Sequence, residues 1–144
     1  MTTSMFTPFV SSQMVYWDQL DLMGVLHNGA YPNLMERART AFWRHCGVTG
    51  YGDPKFDWPY MVARNEVDYK SPIRTEQKIS VTVFIWRIGS SSITFGHEIL
   101  AEDGSLAATG STVLVRVDPE TERPIPWSDA FREMVSGYIK PPSD

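Results

Sequence analysis

The spacing of apolar residues divides this chain into one helical stretch and a series of strand-like ones. From Ala30 the apolar positions are Tyr31, Leu34, Met35, Ala38, Ala41, Phe42 and Trp43, close to the i, i+3, i+4, i+7 rule, with Asn33, Arg37, Thr40 and Arg44 opposite. This pattern predicts an amphipathic helix ending by Gly47, a residue suited to the position just past a helix end. Asn28 is a fair N-cap, and Pro32 is comfortable only in the first turn. The stretch from Gly50 to Pro59 carries two Gly, two Pro and two Asp and reads as a loop. Beyond it the period falls to two. Tyr60 to Tyr69, Lys78 to Ile88, Ser92 to Ala101 and Leu106 to Val117 all read as strands, separated by Ser71-Pro72, Gly89-Ser90 and Glu102-Asp103-Gly104. Upstream, Gln13 to Trp17 is rich in Val, Tyr and Trp and reads as a first strand. Downstream, Pro119 to Pro126 breaks the alternation before a short helix from Ser128 to Tyr138 and a Pro-rich tail.

Sequential strands joined by short turns pair antiparallel. One long helix and one sheet make an α+β domain, and a helix carrying Tyr31, Phe42 and Trp43 needs cover on more than one side. A five-stranded antiparallel sheet curved around a central helix supplies it. No internal repeat or second domain is visible, so residues 1–144 read as a single domain with a core of about 12–117 and a C-terminal extension of 118–144.

Composition narrows the classes. Apolar residues are 42% and charged residues 21%, an ordinary globular balance. The net charge is −4 and no basic run stands out, which argues against nucleic acid as a partner. Cys46 is the only cysteine, which excludes an intramolecular disulfide and a CxxC metal or redox site. The N-terminus lacks the charged and apolar regions of a secretory signal, and no window approaches the ~18 apolar residues of a membrane span. A soluble, cytoplasmic protein without a membrane partner is expected.

The segment from Asp18 to Arg39 carries the chemistry. Asp21 falls on a tight loop a few residues before the helix start, whose unpaired N–H groups favour negative charge. A carboxylate beside preorganised N–H donors suits attack on a carbonyl and stabilisation of its oxyanion. The alternative is an Asp that only caps the loop or the helix. Asn28 and Gly29 would present the donors, or Asn28 would act simply as a cap. His27 is open between orienting Asp21, binding substrate and a purely structural contact. Glu36 sits on the helix with Arg37 and Arg39 beside it, where an ion pair competes with catalysis, and Asp18 reads as a turn residue.

The run D-L-M-G-V-L-H-N-G-A-Y, followed by M-E-R-A-R, resembles the hotdog-fold acyl-CoA thioesterases of the 4-hydroxybenzoyl-CoA thioesterase type. Asp21, Gly24, His27, Asn28, Tyr31, Glu36 and the pair Ala38-Arg39 fall on that family's pattern. N-E-V-D-Y-K-S-P, from Asn65 to Pro72, resembles its second strand and exit, and Arg87 to Ser92 its third turn. The resemblance implies a homodimer or a dimer-of-dimers tetramer, pockets at the subunit interface, and no metal or organic cofactor. It implies hydrolysis of an acyl-CoA or aroyl-CoA thioester, with Asp21 as nucleophile or general base and the N–H groups near Asn28 as oxyanion site.

Substrate contacts are expected from Gly24, Val25, Gly29 and Tyr31 around the loop. Tyr60, Met61 and Val62 would line the acyl pocket, with Met23, Tyr51 and Trp58 as further candidates. Arg87, Gly89, Ser90 and Ser91, or Arg64 or Lys70, would meet the coenzyme A phosphates. Two rival readings remain open. One is an acyl-carrier-protein thioesterase or a hotdog hydratase/dehydratase. The other is a non-catalytic dimer that binds an acyl ligand.

Overall fold

The computed structural model describes residues 6–50 and 52–142, so Tyr51 lies outside the described residues. Five strands form one antiparallel sheet: β1 (Phe9–Val15), β2 (Tyr60–Tyr69), β3 (Gln77–Ile88), β4 (Ser92–Leu100) and β5 (Leu106–Arg116), in the spatial order β1-β3-β4-β5-β2. The helix α1 (Tyr31–His45) lies in the concave face, with Leu34, Met35, Ala38 and Phe42 at most 1% exposed. Val81, Val83, Ile85, Ile93, Phe95 and Ile99 close over it from the sheet. This is the hotdog arrangement that the sequence predicts.

The first strand starts earlier than its hydrophobic pattern suggests. Phe9 sits 5.9 Å from Phe42 in the core, while Ser11 and Ser12 carry the pairing with β3 without an apolar signal. Trp17 belongs instead to a 3-10 turn, Trp17–Gln19, and is 79% exposed.

The buried core also extends past residue 117. A short helix, α2 (Asp129–Val135), is capped by Ser128, whose Oγ accepts from the Phe131 N–H at 3.1 Å. Trp127, Phe131 and Val135 are buried in the same cluster as Trp43 and Phe95. The Asp57 carboxylate anchors the cap, accepting from the Ser128 N–H at 2.6 Å and from its hydroxyl at 3.0 Å. A 3-10 turn, Ser136–Tyr138, follows, so the predicted span of regular structure is matched.

One polar chain crosses the core between helix and sheet. Arg39, 4% exposed, donates through Nη1 to Thr112 Oγ1 at 2.8 Å and lies 3.3 Å from His97 Nε2. Thr112 donates in turn to Asn65 Oδ1 at 2.7 Å, and His97 Nδ1 is 2.9 Å from the Thr82 carbonyl. Burial first, and the neighbouring guanidinium second, push the His97 imidazole down to about 3. The folded protein therefore holds His97 neutral, whereas the unfolded chain takes up a proton near pH 6.5. Stability from this residue is complete above pH 6.5 and is lost as pH falls toward 3. Chemical denaturation at a series of pH values should show it as a slope of up to about 1.4 kcal/mol per pH unit. The slope should shrink in His97→Gln; an unchanged slope would exclude His97 as its source.

Strand β2 forms one edge of the sheet, and eight of its ten residues are exposed. Among the described residues no helix is long and apolar enough to cross a membrane.

Candidate active site

Between β1 and α1 the chain folds back on itself. The Asp21 N–H donates to the Val25 carbonyl at 2.8 Å, and Gly24 N–H to the Asp21 carbonyl at 2.9 Å. Gly24 has φ +75°, a conformation that costs glycine little and explains its place in this turn. The Asp21 carboxylate accepts through Oδ1 from Met23 N–H at 2.8 Å and Val25 N–H at 3.4 Å. Its Oδ2 has no hydrogen-bond partner among the described residues. The turn thus fixes the carboxylate while leaving one oxygen available.

The helix entry differs from the expected one. His27, not Asn28, is the cap: its Nδ1 accepts from Gly29 N–H at 2.9 Å. Asn28–Ala30 form a 3-10 turn that runs into α1, with Pro32 in the first helical turn. The Gly29 N–H is therefore engaged, and the Ala30 N–H donates to the His27 carbonyl at 2.9 Å. The Asn28 N–H has no acceptor among the described residues. His27 shares no hydrogen bond with Asp21: its Nδ1 serves the cap, and its Nε2 has no hydrogen-bond partner among the described residues.

Asp21, Val25, Leu26, Asn28 and Tyr31 face Tyr69, Lys70, Ser71 and Pro72 across a cavity of ≈ 320 Å³. Tyr69 fastens the two sides together. Its hydroxyl donates to the Asn28 carbonyl at 2.9 Å, and its ring meets Tyr31 edge-on at 4.9 Å. Sequence reading assigns Tyr69 no role; an aromatic hydroxyl at a strand end just before Lys-Ser-Pro is the signal that marks it. Burial, followed by the proximity of Tyr69, raises the Tyr31 phenol above its ordinary value, so it stays protonated at neutral pH. Glu36 is exposed on α1 and is absent from this cavity, its carbonyl accepting from Thr40 Oγ1 at 3.1 Å.

The remaining expected contacts lie elsewhere in the chain. Tyr60 pairs with Arg116, and Ser92 with Val115, which puts Tyr60, Met61, Val62 and the Arg87–Ser91 turn at one end of the sheet. Tyr69 is at the other end of β2, roughly 30 Å away at ~3.3 Å per residue. The Arg87–Ser91 turn is also tied down: the Gly89 and Ser90 carbonyls accept from Arg132 Nη2 at 2.7 and 2.9 Å. Arg64 pairs with Glu66 on its own strand. Tyr60 belongs to a second cavity of ≈ 280 Å³ with Thr40, Trp43, Arg44, Val48, Thr49, Gly50 and Phe56. Met61 and Val62 are half-exposed beside it and line no part of it. Sequence distance conceals this division, because strand register decides which ends meet.

The chain is 26% identical over 110 residues to the acyl-CoA thioester hydrolase YbgC of Escherichia coli O6:H1, covering 76% of this chain and 82% of that protein. A thioesterase from Thermus thermophilus, solved in complex with coenzyme A and Zn, superposes with a TM-score of 0.76 at 30% identity, covering 92% of this chain and 95% of that one. The DHNA-CoA thioesterase of Staphylococcus aureus gives a TM-score of 0.79 at 27% identity over 91% of this chain and 88% of that one. Residues 15–135, from the end of β1 through α2, match the family model of the thioesterase-like superfamily, and the chain belongs to that family.

Proposed function

We propose that this protein hydrolyses acyl-CoA thioesters, without a metal or organic cofactor, at the Asp21 cavity. The observation that carries this reading is the Asp21 carboxylate, held by two backbone N–H groups with Oδ2 unengaged, beside the unbonded Asn28 N–H. Oδ2 either takes a proton from water as that water attacks the thioester carbon, or attacks the carbon itself to give a mixed anhydride that water then cleaves. In both routes the carbon–sulfur bond breaks, the thiolate of coenzyme A leaves and takes up a proton, and the free acid remains. The Asn28 N–H is the donor for the carbonyl oxygen as it becomes an oxyanion. Lys70 lines the same cavity and offers its ammonium to a phosphate.

A homodimer completes this reading. The free edge of β2 supports pairing with a second copy. Two-fold antiparallel pairing of β2 with β2 would set the Tyr60 end of one protomer against the Tyr69 end of the other. The cavity walled by Trp43, Phe56 and Tyr60 would then receive the acyl group from the partner's Asp21. Exposed Met61 and Val62 would lie at that junction. His27 shares no hydrogen bond with Asp21 and lines no part of its cavity, which weighs against a hydratase, whose Asp and His must work together.

The test is thiol release from a panel of acyl-CoA, aroyl-CoA and acyl-carrier-protein thioesters, with an enoyl-CoA included to detect hydration. Thiol release from the CoA esters is expected. Release from carrier protein alone would move the substrate class. Hydration without thiol release would favour the hydratase, and tight binding without any turnover a binding protein.

A further inference from the structure

On the convex face of the sheet, away from the Asp21 cavity, the chain builds a trough around an ammonium group. Phe84 and Trp86 are successive outward residues of β3, and their rings meet edge-to-face at 5.0 Å. Gly96 of β4 leaves the room they occupy: a Cβ there would come within 2.4 Å of the Phe84 ring and 2.6 Å of Trp86 Nε1. The tail brings Lys140 to this point, with its N–H donating to the Ile85 carbonyl at 2.8 Å. Its Nζ then sits 5.1 Å from the Phe84 ring centre and 5.0 Å from that of Trp86, cation–π range for both.

This cage is larger and more acidic than a tail anchor requires. The trough encloses ≈ 330 Å³, and Glu66, Asp68 and Glu98 line it with Lys140. Glu66 is engaged by Arg64 and by the Ser111 hydroxyl. Asp68 and Glu98 have no ion-pair partner among the described residues, and Trp86 stays 49% exposed. The Lys140 ammonium and the Arg64 guanidinium against three carboxylates leave one excess negative charge beside an aromatic surface that already holds a primary amine.

We propose that this trough is a binding site for a linear aliphatic polyamine. One ammonium takes the place over Phe84 and Trp86 that Lys140 now fills, and a second pairs with Asp68 and Glu98. The polymethylene segment between them rests on the exposed Trp86 ring. The site is independent of the thioester reading.

Calorimetric titration of the full chain with putrescine, spermidine and spermine tests it, with Mg²⁺ as a purely electrostatic control. Saturable binding that strengthens from diamine to tetraamine, and that Mg²⁺ at equal charge does not displace, is expected. Trp86→Ala should weaken it about tenfold. Lys140→Ala should strengthen it several-fold by vacating the cage. The pair Asp68→Asn and Glu98→Gln, which leaves the aromatic rings in place, should abolish the dependence on amine number. Equal affinity in wild type and folded Trp86→Ala, or displacement by Mg²⁺, would reduce the trough to a diffuse acidic surface. No gain in Lys140→Ala, or no polyamine binding at all, would leave the cage as an anchor for the tail and overturn the proposal.

Discussion

Asp21→Asn should lower kcat for thioester hydrolysis by about 10²–10⁴ while leaving KM and the thermal midpoint close to wild type. The substitution separates the two tasks of this side chain. An amide oxygen still accepts from the Met23 and Val25 N–H groups, so the turn with Gly24 at its corner keeps its shape. What is lost is the negative charge on the second oxygen, needed both to deprotonate water and to attack a carbonyl. Asp21→Ala is a poorer test because it removes the turn contacts as well, so that lost activity would confound geometry with chemistry. Steady-state kinetics on the best substrate of the panel, with a melting curve for each variant, decide the matter. Full activity in Asp21→Asn, with wild type active, would exclude Asp21 as base or nucleophile.

The parts of this molecule that follow a local period were legible in its sequence. The 3.6-residue recurrence from Tyr31 to Trp43 marks α1, and the alternation from Tyr60 to Tyr69 marks β2 at both ends. Where small polar residues pair, as at Ser11 and Ser12, the alternation carries no apolar signal and β1 starts unseen. The Asp21 turn was legible because Gly24 and the nearby carboxylate are local features. The cap was not: Asn28 is the better cap by residue type, yet His27 stands where its ring nitrogen meets the Gly29 N–H. The larger difference is long-range. Nothing near Tyr60 or Ser90 in the chain tells that they lie a strand's length from Asp21, because that follows from the register of β2 on β5 and of β4 on β5. In the proposed dimer, a second copy would span that distance.

The C-terminal segment sets the other large expectation. Phe131→Ala should destabilise the fold by about 3–5 kcal/mol, on the order of a 10–15 °C fall in Tm. Phe131 is 1% exposed and stacks on Trp127 at 4.3 Å, with the Trp43 ring 5.8 Å away. Trp43 meets Phe95 edge-on at 5.7 Å, so the aromatic stack continues from α2 through α1 to the centre of β4. Truncating the ring would open a cavity against three elements that cannot close it without giving up their other contacts. As a contrast, Arg123→Ala in the exposed stretch before α2 should stay within about 0.5 kcal/mol of wild type. Paired denaturation curves test whether residues past 117 complete the core or merely trail from it. Equal stability of Phe131→Ala and wild type would sink the first account. Because Trp43 also walls the cavity assigned to the acyl group, a folded Phe131→Ala protein should hydrolyse bulkier acyl-CoA esters relatively better than wild type does. That shift would tie the far end of the chain to substrate choice without touching Asp21.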